Sequence, residues 1–102
     1  VNAGSAMAYR RLCQSGGRRR IDRIAEELGW SRKHLATRFR EDFGLGAKTI
    51  ARMIRFQAAL AQARRGNPDW ADIAAACGYA DQAHLVREFQ AMSGTTPTAI
   101  AG

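Results

Sequence analysis

The sequence has little from which to build a sheet. Its 102 residues contain none of the runs of roughly four to eight β-branched and aromatic residues that read as strands. Proline occurs only twice, so little interrupts a helical pattern. No stretch approaches the roughly 18 apolar residues that a membrane-spanning helix needs, and the opening VNAGSAMAYRRL has no apolar segment of a secretory signal. Cysteine is limited to Cys13 and Cys77, outside any CxxC or Cys/His spacing, which removes a zinc site and reads as two reduced, buried thiols of a cytoplasmic protein. Paired carboxylates, a Ser/His/Asp context and a glycine-rich loop after a strand are all missing. The chain is therefore not read as an enzyme, and neither cofactor nor metal is expected. Acid is also in deficit. Nine Asp and Glu against sixteen Lys and Arg leave +7 and a pI near 10.7, the footprint of a polyanion binder.

What is present is 46% apolar residues at helical spacing and an internal repeat, which together read as an all-α chain. IAEELGW at 24–30 lies over IAAACGY at 73–79, pairing Ile24 with Ile73, Ala25 with Ala74, Leu28 with Cys77, Gly29 with Gly78 and Trp30 with Tyr79. Leu35, Phe39 and Gly44 then match Leu85, Phe89 and Gly94 if the second copy carries one extra residue in its turn. Each copy reads as helix, turn, helix. Ile21, Ile24, Ala25 and Leu28 form one apolar face, Gly29 ends that helix, and Ser31 can cap the next; Asp69, Gly78 and Asp81 do the same in the second copy. A turn of about three residues with a glycine matches the helix-turn-helix that offers its second helix to DNA. A helix over 5–14, through Met7, Tyr9 and Leu12, precedes the first copy. Between the copies a long helix over 48–65 takes apolar contact from Ile50, Met53, Ile54, Phe56 and Leu60, with Arg52, Arg55, Arg64 and Arg65 outward or snorkelling, and RRGNPD ends it.

In this order, IAEELGWS, LATRF, FG, RFQAAL, DIAAACGYADQAHLVREF and GTTP resemble the C-terminal DNA-binding domain of AraC/XylS-type transcriptional regulators across nearly the whole chain. The resemblance implies two helix-turn-helix lobes of homeodomain-like three-helix units, about seven helices in all, at 1–46 and 67–102, joined by a linker helix at 47–66. Two departures stand out: Thr37 where the family usually has Arg, and Gln62-Ala63 where it usually has two leucines. The family places an effector or dimerisation domain ahead of this unit. With a valine first, the chain reads as part of a longer regulator.

Setting Leu35 at zero and turning about 100° per residue puts Phe39 and Asp42 on the packed side of the first candidate recognition helix, about 31–43. Lys33, Thr37 and Arg40 then face outward, flanked by Ala36 and His34, with Arg32 in the first turn. In the second, about 81–92, Phe89 and Met92 face inward, Ala83, Arg87 and Gln90 outward, His84 and Val86 flank the stripe, and Gln82 lies in the first turn. The expected DNA-binding set is Arg32, Lys33, Ala36, Thr37, Arg40, Gln82, Ala83, His84, Val86 and Arg87. Arg87 can present a fork to guanine, Gln82 a donor–acceptor pair to adenine, and Val86 or Ala83 a surface for a thymine methyl. Arg87 can equally touch phosphate or pair with Glu88 or Asp81, and Arg32, Lys33 and Arg40 can position without reading sequence. His34 and His84 are flanking polar groups or direct contacts. Trp30 and Tyr79 read as packing wedges, Trp70 and Cys77 as core, and Arg18, Arg19 and Arg20 as a phosphate clamp or a solvated run. Double-stranded DNA is thus the expected partner, read as an asymmetric site through two major-groove segments roughly 34 Å apart. The alternative has one lobe on DNA and the other docked on RNA polymerase or another protein.

Overall fold

A computed structural model describes residues 1–101. Its helices are α1 (Ala3–Gln14), α2 (Ile21–Glu27), α3 (Arg32–Phe43), α4 (Ala47–Ala63), α5 (Trp70–Cys77), α6 (Gln82–Ser93) and α7 (Pro97–Ala101), with no strand among the described residues. The all-α reading holds. The chain divides into two compact units between Ile54 and Arg55, so the division falls inside α4. The first half of that helix contributes to one core and the second half to the other.

In the first unit α1 is capped by Asn2, whose side chain accepts from the amides of Gly4 and Ser5. The face that α1 buries is Ser5, Ala8 and Leu12, whereas Met7 and Tyr9 are about two-fifths exposed, at 39% and 41%. Small side chains at spacings of three and four let the helix lie close on its neighbours, and the larger ones are left at the flank. Cys13 lies on the exposed side of the same helix while Cys77 is buried, and neither is in a disulfide. The expectation of two buried thiols therefore holds for Cys77 alone. Leu12, Ile24, Ala25, Leu35 and Phe39 form the centre, closed from α4 by Ala47, Ile50 and Ala51. Met53, expected to pack, is 44% exposed, because the inward stripe of α4 here runs through Ile50, Ala51 and Ile54.

The second unit buries Leu60, Ala63, Ile73, Ala74, Cys77, Tyr79, Leu85 and Phe89, with Phe56 and Trp70 against them. Phe89 meets the rings of Phe56 and Trp70 edge-on, at centroid distances of 4.7 and 5.9 Å. Arg55 does not point freely outward: it is half-buried, with its guanidinium 5.6 Å from the Tyr79 ring centre.

The two turns are built alike and differ by one residue. In the first, Gly29 takes φ +70° and the Trp30 amide reaches back to the Ala25 carbonyl at 2.8 Å. In the second, Gly78 takes φ +86° and the Tyr79 amide donates to Ala74 at 2.9 Å. These bonds across five residues are the helix-ending motif that a left-handed glycine permits. Ser31, two residues after its glycine, caps α3; Asp81, three after its own, caps α6. The extra residue is Ala80, and its amide donates to Nδ1 of His84 at 3.1 Å.

Candidate nucleic-acid interface

Each candidate recognition helix is fixed in rotation by two large buried side chains one turn apart. On α3 these are Leu35 and Phe39, on α6 Leu85 and Phe89, all with no exposed surface. Because successive residues turn by about 100°, burying that pair presents the opposite stripe to solvent. The caps fix the first turns. Ser31 Oγ accepts the His34 amide at 3.0 Å, and the Asp81 carboxylate accepts the His84 amide at 2.8 Å. A twelve-residue helix is about 18 Å long, and a major groove about 12 Å wide admits its diameter.

On α3 all five expected residues, Arg32, Lys33, Ala36, Thr37 and Arg40, are exposed. Arg38, the base next to Thr37, turns back along its own helix to Glu41 at 3.0 Å and Asp42 at 3.4 Å. It therefore holds the end of α3 instead of joining the outward stripe. On α6, Gln82, Ala83 and Arg87 are exposed, as is Gln90, while His84 and Val86 are half-buried. Arg87 makes no ion pair among the described residues, and the Asp81 carboxylate is occupied at the cap. Its guanidinium is therefore available to an outside acceptor.

The histidines do work inside their own lobes. His84 holds the Ala80 amide and stands edge-on to Tyr79, with centroids 5.3 Å apart. Since Nδ1 accepts, the ring proton of the neutral form sits on Nε2, the atom left to donate. His34 stands edge-on to Trp30 at 4.6 Å. The wedge reading of the aromatics agrees with this: Tyr79 is buried, and Trp30 covers Gly4 of α1 so closely that a Cβ there would collide with the ring.

The basic run before α2 is two-thirds committed. Arg19 pairs with Glu27 at 2.5 Å and Arg20 with Asp22 at 2.8 Å, while Arg18 is exposed. Glu27 also takes Arg11 of α1 at 2.6 Å, so one carboxylate ties α1 and the connection to α2. Asp22 is held below the usual carboxylate range: partial desolvation works against its charge, but the Arg20 fork and the Arg23 amide and charge outweigh it. Asp42 is lowered by the Ser5 hydroxyl first, against some desolvation, then by the Asn2 amide and Arg38. These charges brace the scaffold behind the stripe. The pairs that join one element to another, Arg11 and Arg19 with Glu27, are not visible in the periodicity of a single helix. The exposed bases Arg10 and Lys48 lie outside the helix-turn-helix pattern.

A family model described as a helix-turn-helix domain matches residues 24–101. The chain belongs to the AraC-type helix-turn-helix family. Solved structures agree on the fold of this AraC-type domain. It is similar to the C-terminal domain of AraT, a response regulator from Geobacillus stearothermophilus, with a TM-score of 0.90 at 18% identity, covering 99% of this chain and 85% of that one. The xylose-binding transcription activator xylR gives a TM-score of 0.83 at 19% identity over 99% of this chain, which corresponds to 27% of that protein. An AraC-type regulator from Chromobacterium violaceum gives 0.78 at 21% identity, covering 96% and 92%. Among curated proteins no sequence match was found. Family membership makes the AraC-type domain a DNA-binding unit that serves transcription regulation and not an enzyme.

Proposed function

We propose that α3 and α6 are the recognition helices of one sequence-specific double-stranded-DNA binder, each entering its own major-groove segment of an asymmetric site. The observation that carries this is the paired construction: identical anchors, Leu35/Phe39 and Leu85/Phe89, turn outward two stripes that differ at most corresponding positions. Lys33 corresponds to Ala83, and Thr37 to Arg87. Two equal scaffolds with unequal faces suit a site whose halves differ in sequence. On this reading Arg32, Lys33, Ala36, Thr37 and Arg40 meet one segment, and Gln82, Ala83, His84, Val86 and Arg87 the other. Arg87 supplies a bidentate contact to guanine, and Gln82 a pair to adenine. The functional lobes are 1–46 and 67–102, with 47–66 between them.

Footprinting on a duplex selected from random sequence tests this. Two protected segments are expected, with Thr37→Ala altering preference in one and Arg87→Ala in the other. A single protected segment, indifferent to changes at Lys33 and Thr37, supports the other arrangement, in which one lobe holds DNA and its fellow docks RNA polymerase or another protein. An effector or dimerisation module of the family's kind would decide when the unit binds.

A further inference from the structure

The positive charge is not shared between the two units. Residues 1–54 hold twelve of the sixteen Lys and Arg and five of the nine Asp and Glu, so the entire +7 lies there. Residues 55–102 hold four of each and sum to zero. Beyond Arg65 only one base, Arg87, stands against Asp69, Asp72, Asp81 and Glu88, which makes the α5–α7 segment net −3.

Within the first unit the pairing concentrates what is left. All five carboxylates pair with arginines of this unit: Asp22 with Arg20, Glu26 with Arg23, Glu27 with both Arg11 and Arg19, and Glu41 and Asp42 with Arg38. Among the described residues, Arg10, Arg18, Arg32, Lys33, Arg40 and Lys48 make no such pair. Three of these six, Arg32, Lys33 and Arg40, lie on the outward stripe of α3. The second lobe is constructed the other way. Asp69 and Asp81 are spent on helix caps, Arg55 lies against Tyr79, and the exposed face of α6 offers Gln82, Ala83 and Gln90 around the single charge of Arg87.

Resting on the DNA-binding reading above, we infer that the two lobes divide the interaction: the first supplies the phosphate-neutralising, salt-sensitive affinity, and the second adds base contacts that salt barely affects. The reason is counterion release, which scales with the number of phosphates neutralised and not with contacts of neutral groups. A net-negative lobe gains nothing from the field of the duplex and is held there by its neighbour.

The test uses the whole chain, a 30-base-pair random-sequence duplex and a duplex obtained by selection, with binding measured from about 50 to 200 mM salt. Each phosphate contact contributes about 0.9 to the slope, or about 3.5-fold in affinity over that range. The triple variant Arg32→Ala/Lys33→Ala/Arg40→Ala should lower the slope by about 2.7, with its helical signal and melting unchanged because all three side chains are exposed. The triple variant Arg64→Ala/Arg65→Ala/Arg87→Ala should lower it by no more than about 0.9. Arg87→Ala alone should reduce the preference for the selected duplex over the random one. Equal loss of slope from the two triple variants, or an unchanged preference on losing Arg87, overturns the division while leaving DNA binding standing. A wild-type chain that binds neither duplex at the lowest salt overturns the DNA reading and the division together.

Discussion

Removing the imidazole of His84 tests how the longer second turn is held. The inserted Ala80 amide is satisfied by Nδ1 at 3.1 Å, and the same ring meets Tyr79 edge-on at 5.3 Å. A neutral hydrogen bond of this kind contributes about 0.5–1.5 kcal/mol net, and an edge-on aromatic contact about 0.5–1.5 kcal/mol. Ala80 is exposed, so water can replace the lost acceptor and the hydrogen-bond share falls at its lower end. His84→Ala is therefore expected to destabilise the second lobe by about 1–2 kcal/mol, read by urea or thermal unfolding. In His84→Asn the amide oxygen stands where Nδ1 stood, so about half of that loss should return. His84→Gln instead keeps a donor near Nε2 and loses the turn, so it should resemble the alanine variant in stability. His34 is the internal comparison: its ring makes the edge contact with Trp30 without a turn amide to hold, and His34→Asn should restore nothing over His34→Ala. Nitrogen chemical shifts of the wild type should show the proton of neutral His84 on Nε2. A proton on Nδ1, or an asparagine variant no better than alanine, refutes the reasoning.

Phe89→Ala should cost about 3–5 kcal/mol by opening a cavity between Phe56 and Trp70, and its calorimetric trace should show the second lobe melting first. Gly29→Ala places a Cβ that meets nothing within 4 Å but keeps φ at +70°, so its loss is a backbone effect of about 1–2 kcal/mol on unfolding. Asp42 has a depressed carboxyl pKa, so its stabilisation is complete above the unfolded value and is lost as pH falls through the folded one. Asp42→Asn should therefore be less stable at neutral pH, and the gap to wild type should close as pH drops below the usual carboxylate range. A gap that stays constant with pH contradicts the contacts of Asp42 with the Asn2 amide and Arg38.

The repeat made the helices, both turns and the anchors legible, because a left-handed glycine, a cap and two apolar residues at helical spacing are local properties. Ser31, Asp69 and Asp81 are caps for the same reason. The packing of α1 was not legible: the sequence traces the helix through Met7, Tyr9 and Leu12, yet Ser5 and Ala8 are buried beside Leu12, since close approach selects small side chains. Cys13 and Met53 were misplaced for want of the same tertiary information. The outward stripes followed from the anchors, and all five α3 positions are exposed. The commitments of Arg19, Arg20 and Arg38 to carboxylates, and of His84 to Ala80, did not follow. Arg19 reaches α2 from the connection before it, and His84 depends on a turn longer by one residue; the Arg20–Asp22 and Arg38–Glu41 pairs are local, at spacings that apolar periodicity does not weigh.

The most direct test is selection of bound duplexes from a random pool by the wild-type chain and by Arg87→Ala. Recognition through α3 and α6 predicts one asymmetric motif with two separated segments. Loss of Arg87 should relax a single position by about 1–3 kcal/mol and leave the α3 segment intact. Enrichment of no motif by the wild type, or the same motif with unchanged preference at every position after loss of Arg87, contradicts the account.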